Sequence, residues 1–358
     1  MAKKDLNTIN KTCQFIHLVP YDGVGGVESA ARTTAFMREG SIEFKVEYIF
    51  RNLFHHKDIK ATYNPLSLLR AVLRIRAEAV DVLIVSLWRS SFVGLLVKLL
   101  CPRIKLVTFI HLERDVHFLD FLFTKTSLLF SVRIWADSEA TIKGRLSAAQ
   151  IKRSQLISFV TNPFDPLPRK KVAPVFIFWG RINQQKGLDR AILIFSRIHE
   201  IYPDSRYLVI GPDGGALSEI KKLCMKLGVV NCVSFLDAAV HDQIVQYAAE
   251  ASFYLQTSLT EGMGMSVVEA MQLGLLPVVT PVGEIASYCQ HNRNAVIVDS
   301  NEAAVACISY LIESDERYQA MRSMAIQTWK GKPLYRESVL DACKEIVQSD
   351  NALLKRVR

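Results

Sequence analysis

No apolar run in this chain reaches the ~18 residues needed for a helix to cross a bilayer. The nearest, residues 118–130, is broken by Asp120 and Lys125. The opening Met1-Ala-Lys-Lys-Asp-Leu-Asn-Thr8 is polar and has no signal-peptide core. Seven cysteines, odd in number and without paired spacing, argue against a disulfide scaffold and read as the reduced thiols of a cytosolic protein. No Cys/His group has zinc spacing. The expectation is a cytoplasmic protein with no metal site and no bound cofactor.

What is present is ample for folding. At 358 residues the chain is long enough for two domains, each with its own core. Half of the residues are hydrophobic and 22% are charged, which excludes an intrinsically disordered chain. The charge is uneven. Up to Ala173 there are 26 Lys and Arg against 15 Asp and Glu, a balance of +11; from Pro174 onward there are 18 against 20, a balance of −2. A basic front half beside a neutral rear half implies an anionic partner, or simply a solvated basic surface. No interleaving of aromatic and basic residues supports nucleic acid as that partner.

Short β-branched runs alternate with helical stretches. The pattern predicts strands over residues 13–19, 45–50, 82–86, 105–110, 133–136 and 156–159, with helices over 27–39 and 66–78. The rhythm repeats at 175–179, 207–210, 233–236, 252–256, 277–280 and 295–298. Such alternation predicts an α/β protein of two doubly wound parallel-sheet, Rossmann-like domains facing a cleft. Residues 161–174 hold four prolines and three basic residues and read as the linker. The expected domains are 1–165 and 166–333, with a C-terminal helix in 334–358 that packs back on the first domain. Ligand is expected at the carboxyl ends of the strands.

The most informative segment is Glu261-Gly-Met-Gly-Met-Ser-Val-Val-Glu269. It sets two carboxylates on either side of a loop, Gly262, Met263 and Gly264, and a helix opening near Ser266. Unpaired N–H groups and the helix dipole favour an anion there. A ligand with hydroxyls at both ends and phosphate in the middle fits, as a nucleotide-sugar does. Ser266-Val-Val-Glu269 also reads as a capping box with Ser266 as N-cap, whereas Glu261 has no such local explanation. Upstream, the strand ending at Trp179 runs into Gly180-Arg-Ile-Asn-Gln-Gln-Lys186. Gly180 permits a sharp turn, and Arg181 and Lys186 are either a diphosphate clamp or two solvated loop cations. Gly211, in a second strand-to-glycine loop, lets backbone approach a ligand or makes a turn. At the front, Gly23, Gly25 and Gly26 follow the first strand, but Glu28 stands where a dinucleotide fingerprint requires its third glycine. His111 closes a strand, where it is either structural or directed at ligand.

Taken in order, these segments resemble the retaining nucleotide-sugar glycosyltransferases of family 4 (glycosyl transferases group 1, GT-B fold), of the bacterial surface-polysaccharide type. The likeness runs from Gly25 to about Trp329 and includes Ala136-Asp-Ser-Glu-Ala-Thr141. It implies that Glu261 holds donor-sugar hydroxyls and that Glu269 accepts from the ribose. Arg181 and Lys186 would grip the diphosphate, with the amides around Gly264, Met265 and Ser266 completing the anion site. Gly26 would approach the donor from the other domain, and His111 would sit beside its sugar. It further implies hexosyl transfer to a saccharide with retention of configuration, the leaving phosphate helping to deprotonate the acceptor. The Asp-x-Asp motif of the other major transferase fold is missing, so fixed charge is expected to replace a metal.

Departures from the family pattern are Met263 in place of a frequent aromatic, the long turn Gly274-Leu-Leu-Pro277, and Gly283-Glu-Ile-Ala-Ser287 without paired glycines. Two rival readings keep the fold: a nucleotide-sugar epimerase and an inactive nucleotide-sugar-binding scaffold. The basic front half and residues 118–130 suggest a peripheral position on an anionic membrane surface, the inner face of the cytoplasmic membrane; core packing explains the same apolar residues. The acceptor expected is then a lipid-linked saccharide for lipopolysaccharide, O-antigen or capsule.

Overall fold

The computed structural model describes residues 12–23, 25–50, 66–168 and 170–356; Val24 of the front glycine loop and Arg169 of the linker lie outside them. The chain divides into two compact units, one running to Thr161 and resuming at Tyr335, the other spanning Asn162–Leu334.

The first unit holds a seven-stranded sheet of β1 (Cys13–Tyr21), β2 (Phe36–Glu39), β3 (Ile42–Phe50), β4 (Val82–Ser86), β5 (Lys105–Ile110), β6 (Ser131–Ala136) and β7 (Ser154–Leu156). Their order across the sheet is β2-β3-β1-β4-β5-β6-β7. β4 is buried at all five positions, as expected of a parallel strand covered on both faces. Two expectations are corrected here. The helix read over 27–39 stops at Thr33, and Phe36–Glu39 is an antiparallel edge strand paired with β3. Gly40, at φ +56°, makes the tight turn between them, and only Met37 of the strand is buried. The strand read over 156–159 is also displaced: β7 ends at Leu156, and Ile157, Phe159 and Val160 are buried without continuing the ladder.

The helix Tyr335–Arg356 belongs to this first unit. Tyr335, Val339, Ala342, Cys343 and Ile346 are buried at the i, i+4, i+7, i+8 and i+11 spacing of one helical face. Tyr335 stacks on Phe109 with ring centres 6.4 Å apart and meets the edge of Phe159 at 5.2 Å.

The second unit holds a parallel sheet of β8 (Val175–Trp179), β9 (Arg206–Ile210), β10 (Val233–Leu236), β11 (Phe253–Gln256), β12 (Leu276–Val279) and β13 (Val296–Ile297), ordered β10-β9-β8-β11-β12-β13. Phe176, Phe178, Phe195, Tyr207, Phe253 and Tyr254 fill its core. The sheets grow outward from β1 and β4 in the first unit and from β8 and β11 in the second. In a doubly wound sheet that reversal opens a crevice at the strands' carboxyl ends. The segments singled out in the sequence leave from those ends.

Candidate active site

In the second unit, the loops leaving β8 and β11 are laced together. Gly180 and Gly211 stand side by side, both at positive φ (+148° and +151°), and a Cβ on Gly211 would run into the Gly180 carbonyl. The close approach of these strand ends therefore requires glycine. Beyond Gly180, Asn183 caps a short 3₁₀ turn, Gln184–Lys186, by accepting from the Lys186 amide at 3.3 Å. Leu259 N–H donates to the Gln185 carbonyl at 2.8 Å, and the Gln185 amide returns a bond to the Thr260 carbonyl at 2.9 Å. This lacing brings Lys186 to Glu261: Nζ donates to Oε1 across 2.6 Å.

Glu261 is 7% exposed. Besides Lys186, its Oε1 accepts from Gln256 Nε2 (2.9 Å) and Ser258 Oγ (2.7 Å). A buried carboxylate is tolerated because it is paired and multiply hydrogen-bonded. All three donors converge on one oxygen, leaving Oε2 free of protein donors among the described residues. Gln256 is itself fixed, its Oε1 accepting from Tyr254 (2.7 Å) and Ser266 (3.1 Å).

The helix Met265–Leu273 begins from Gly264, which is left-handed at φ +70°. The capping-box reading is corrected: Gly264 is the N-cap and no side chain caps it, because Ser266 is drawn to Gln256 and Glu269 turns to the Trp179 indole. Val267 and Val268 donate to the Gly264 carbonyl, whereas the amides of Gly264, Met265 and Ser266 make no backbone bond among the described residues. The helix start thus retains an anion-binding character. Tyr288 Oη braces the loop by donating to the Met263 carbonyl at 2.8 Å. Glu269 Oε2 accepts from Trp179 Nε1 at 2.7 Å. Burial pushes this carboxyl up to about 7, and the indole bond only partly offsets it. Arg181 is exposed and no side-chain bond or ion pair engages it among the described residues.

In the second unit, then, the structure assembles Gly180, Arg181, Lys186, Gly211, Glu261, Gly262, Met263, Gly264, Met265, Ser266 and Glu269 around three adjacent strand ends, those of β9, β8 and β11, and one helix start. Sequence reasoning missed Gln256, Ser258 and Trp179. A polar Gln256 at the end of an apolar strand was the available signal.

Gly25, Gly26 and His111 lie in the first unit. Gly25 caps the helix Gly26–Thr33, and the Glu28 carboxylate folds onto it so closely that a Cβ would collide. His111 follows β5 and is 6% exposed; its Nε2 is 2.9 Å from Ser86 Oγ. Its Nδ1 is 3.7 Å from the Asp137 carboxylate. Asp137-Ser138 also starts the next helix, with Ser138 capping Thr141 N–H at 3.1 Å and Thr141 donating to Asp137 at 3.0 Å. A cavity of about 60 Å³ adjoins His111, walled by Leu87, Trp88, Val116, Asp120 and Arg145.

The neighbouring helix Phe118–Phe130 is inverted. It buries Asp120, Thr124, Ser127 and Leu128, while Phe118 (71%), Leu129 (69%), Phe130 (56%) and Phe121 (47%) face outward. Its polar side is satisfied internally: Thr124 donates to Asp120 at 2.8 Å, Asp120 pairs with Arg145 at 3.3 Å, and Ser127 meets Thr108 at 2.5 Å. Core packing therefore does not account for these outward aromatic residues.

Comparison with known proteins follows the same division. Residues 161–328 match the family described as glycosyl transferases group 1. An uncharacterized glycosyltransferase of Bacillus subtilis is 26% identical over 167 residues, covering 46% of this chain and 46% of the relative. Alpha-monoglucosyldiacylglycerol synthase of Acholeplasma laidlawii is 23% identical over 186 residues, covering 51% of this chain and 46% of the relative. The chain thus spans about half the length of these curated relatives. The crystal structure of Anabaena HepE in complex with UDP and glucose covers 95% of this chain and 100% of its own, at 17% identity and a TM-score of 0.66. That likeness establishes the fold: two Rossmann-like domains of the GT-B class.

Proposed function

From the match of residues 161–328 to the group 1 glycosyltransferases, we propose that this chain transfers a hexose from a nucleotide-sugar to a saccharide acceptor with retention of configuration. The observation that carries the reading is the Glu261–Lys186 pair, 2.6 Å apart beside the start of the helix Met265–Leu273. Glu261 Oε2 accepts from donor-sugar hydroxyls while Oε1 stays anchored. Lys186 spends one of its three N–H bonds on Glu261 and keeps two for phosphate oxygens. Arg181 adds a bidentate grip, and the amides of Gly264, Met265 and Ser266 supply the helix-start dipole. Together these stabilise negative charge as it develops on the departing diphosphate, so that fixed charge does the work of a metal. A non-bridging oxygen of that phosphate takes the acceptor's proton as the hydroxyl attacks the same face. Glu269, lodged against Trp179, takes the ribose hydroxyls.

The outward apolar face of the helix Phe118–Phe130 and the basic front half favour an acceptor held at an anionic membrane surface. We assign it to the class of lipid-linked saccharides used for lipopolysaccharide, O-antigen or capsule, met by a peripheral enzyme on the inner face of the cytoplasmic membrane. The likeness to a glucosyldiacylglycerol synthase agrees with a lipid-borne acceptor. The test is a panel of UDP-, GDP- and ADP-sugars offered with lipid extracts, followed by Glu261→Ala. Removing this buried carboxylate lowers transfer by about 100-fold or more; full activity in Glu261→Ala overturns the assignment.

A further inference from the structure

Four polar side chains cross the first unit in a row. His17 stands on β1, Ser86 ends β4, His111 follows β5 and Asp137 follows β6, four strands adjacent in that order. All are buried: His17 and Ser86 at 0%, His111 at 6% and Asp137 at 5% exposure. Ser86 Oγ lies 2.8 Å from His17 Nε2 and 2.9 Å from His111 Nε2.

One hydroxyl serving two imidazoles fixes a direction. A serine has one proton to give and lone pairs to receive, so one Nε2 accepts from Ser86 and the other donates to it. Asp137 decides which. Its carboxylate faces His111 Nδ1 at 3.7 Å, too long for a hydrogen bond but close enough for its charge to act in a buried site. A bare Nδ1 lone pair opposite that charge is repelled, so Nδ1 carries the proton and Nε2 accepts from Ser86. Ser86 in turn accepts from His17 Nε2–H. Burial, followed by the influence of His111, pulls His17 down to about 3 and keeps it neutral. The turn that delivers Ser86 is itself strained: Leu87 has φ +67°, a region L side chains rarely occupy.

Resting on the donor reading above, we propose that His17, Ser86 and Asp137 are positioning residues that hold His111 with its proton on Nδ1 and its Nε2 accepting from Ser86. Nε2 is then hydrogen-bonded to Ser86, and Nδ1 is buried facing the Asp137 carboxylate. His111 works as a fixed wall at the end of β5 and of the cavity it lines, and it passes no proton to or from substrate. The arrangement is not a serine nucleophile with its base, because Ser86 is fully buried between the two rings.

The full chain labelled with ¹⁵N-histidine, with rings assigned through His17→Asn and His111→Asn, reports the tautomers by long-range ¹H–¹⁵N correlation. The expected result is Nε2–H for His17 and Nδ1–H for His111. Ser86→Ala scrambles His17, which loses its acceptor, while His111 keeps Nδ1–H opposite Asp137 but loses its Nε2 anchor; Ser86→Thr, which keeps the hydroxyl, restores the wild-type pattern. With UDP-glucose as donor probe, Ser86→Ala lowers kcat about tenfold at nearly constant KM, as expected when a fixed group loosens, and Ser86→Thr recovers it. A wild-type His111 carrying its proton on Nε2 overturns the proposal, as does a His17 tautomer unmoved by Ser86→Ala. A scrambled His17 tautomer with unchanged kcat overturns the positioning role and leaves the donor reading standing on Glu261. If the wild type releases no nucleotide from any of the UDP-, GDP- and ADP-sugars, the donor reading fails while the spectra still decide the hydrogen-bond order. Should Ser86→Ala not fold, Asp137→Asn serves: removing the charge releases the His111 proton from Nδ1, and an unchanged Nδ1–H tautomer counts against us.

Discussion

Glu269 shows how a single carboxyl couples chemistry to stability. Burial beside Trp179 raises it to about 7, so the folded protein holds this proton more tightly than the unfolded chain. The associated stability is fully present below the ordinary carboxylate range and is lost as pH rises through about 7. Urea unfolding at pH 5 and pH 8 will show the wild type losing more stability than Glu269→Gln, by on the order of 2 kcal/mol; equal losses remove the claim. The two glutamates were legible in the sequence because acidic residues flanking a glycine loop have few local explanations. Their partners were not. Trp179 comes from a distant stretch of chain, brought within hydrogen-bond reach by β8 lying beside β11. Gln256 and Ser258, though only five and three residues before Glu261, turn onto its carboxylate only in the folded loop. The capping-box reading failed for a related reason: Ser266 and Glu269 found stronger partners outside their own helix.

Among the elements, the helix Phe118–Phe130 departs furthest from ordinary amphipathic logic, with its polar side inward and its aromatic side in water. Phe118→Ser together with Phe130→Ser will lower binding to anionic vesicles at least about tenfold, since each exposed ring contributes roughly 1.5–3 kcal/mol when it leaves water. The melting temperature will stay nearly unchanged, because neither ring packs in the core; undiminished vesicle binding would remove the membrane claim. Composition alone left this helix ambiguous between core and surface, because a run rich in Phe and Leu suits either. Elements with period-2 or all-apolar signatures were read closely, as at β4, β5, β8 and β10. Edge strand β2 was missed because Met37 is its single buried residue, too little for a pattern against the preceding helix.

At the scale of the whole molecule, the alternation of strands and helices already implied two doubly wound sheets, and the breaks in strand order fall at the two loop clusters that hold the candidate site residues. The rhythm could not say where the last helix docks, since an amphipathic helix fits many faces. Its apolar stripe belongs to the first unit, with Tyr335 against Phe109 and Phe159. Removing residues 335–358 will destabilise that unit, lowering the melting temperature and exposing dye-binding apolar surface. Unchanged melting would show that the stripe contributes nothing.

The same docking sets an order of events during synthesis. The sheet that the ribosome makes first lacks a wall of its core until Tyr335 and the residues after it have emerged, whereas Asn162–Leu334 needs nothing made later. The later-made lobe can therefore close while the earlier one still waits, its Phe109 and Phe159 uncovered and within reach of chaperones.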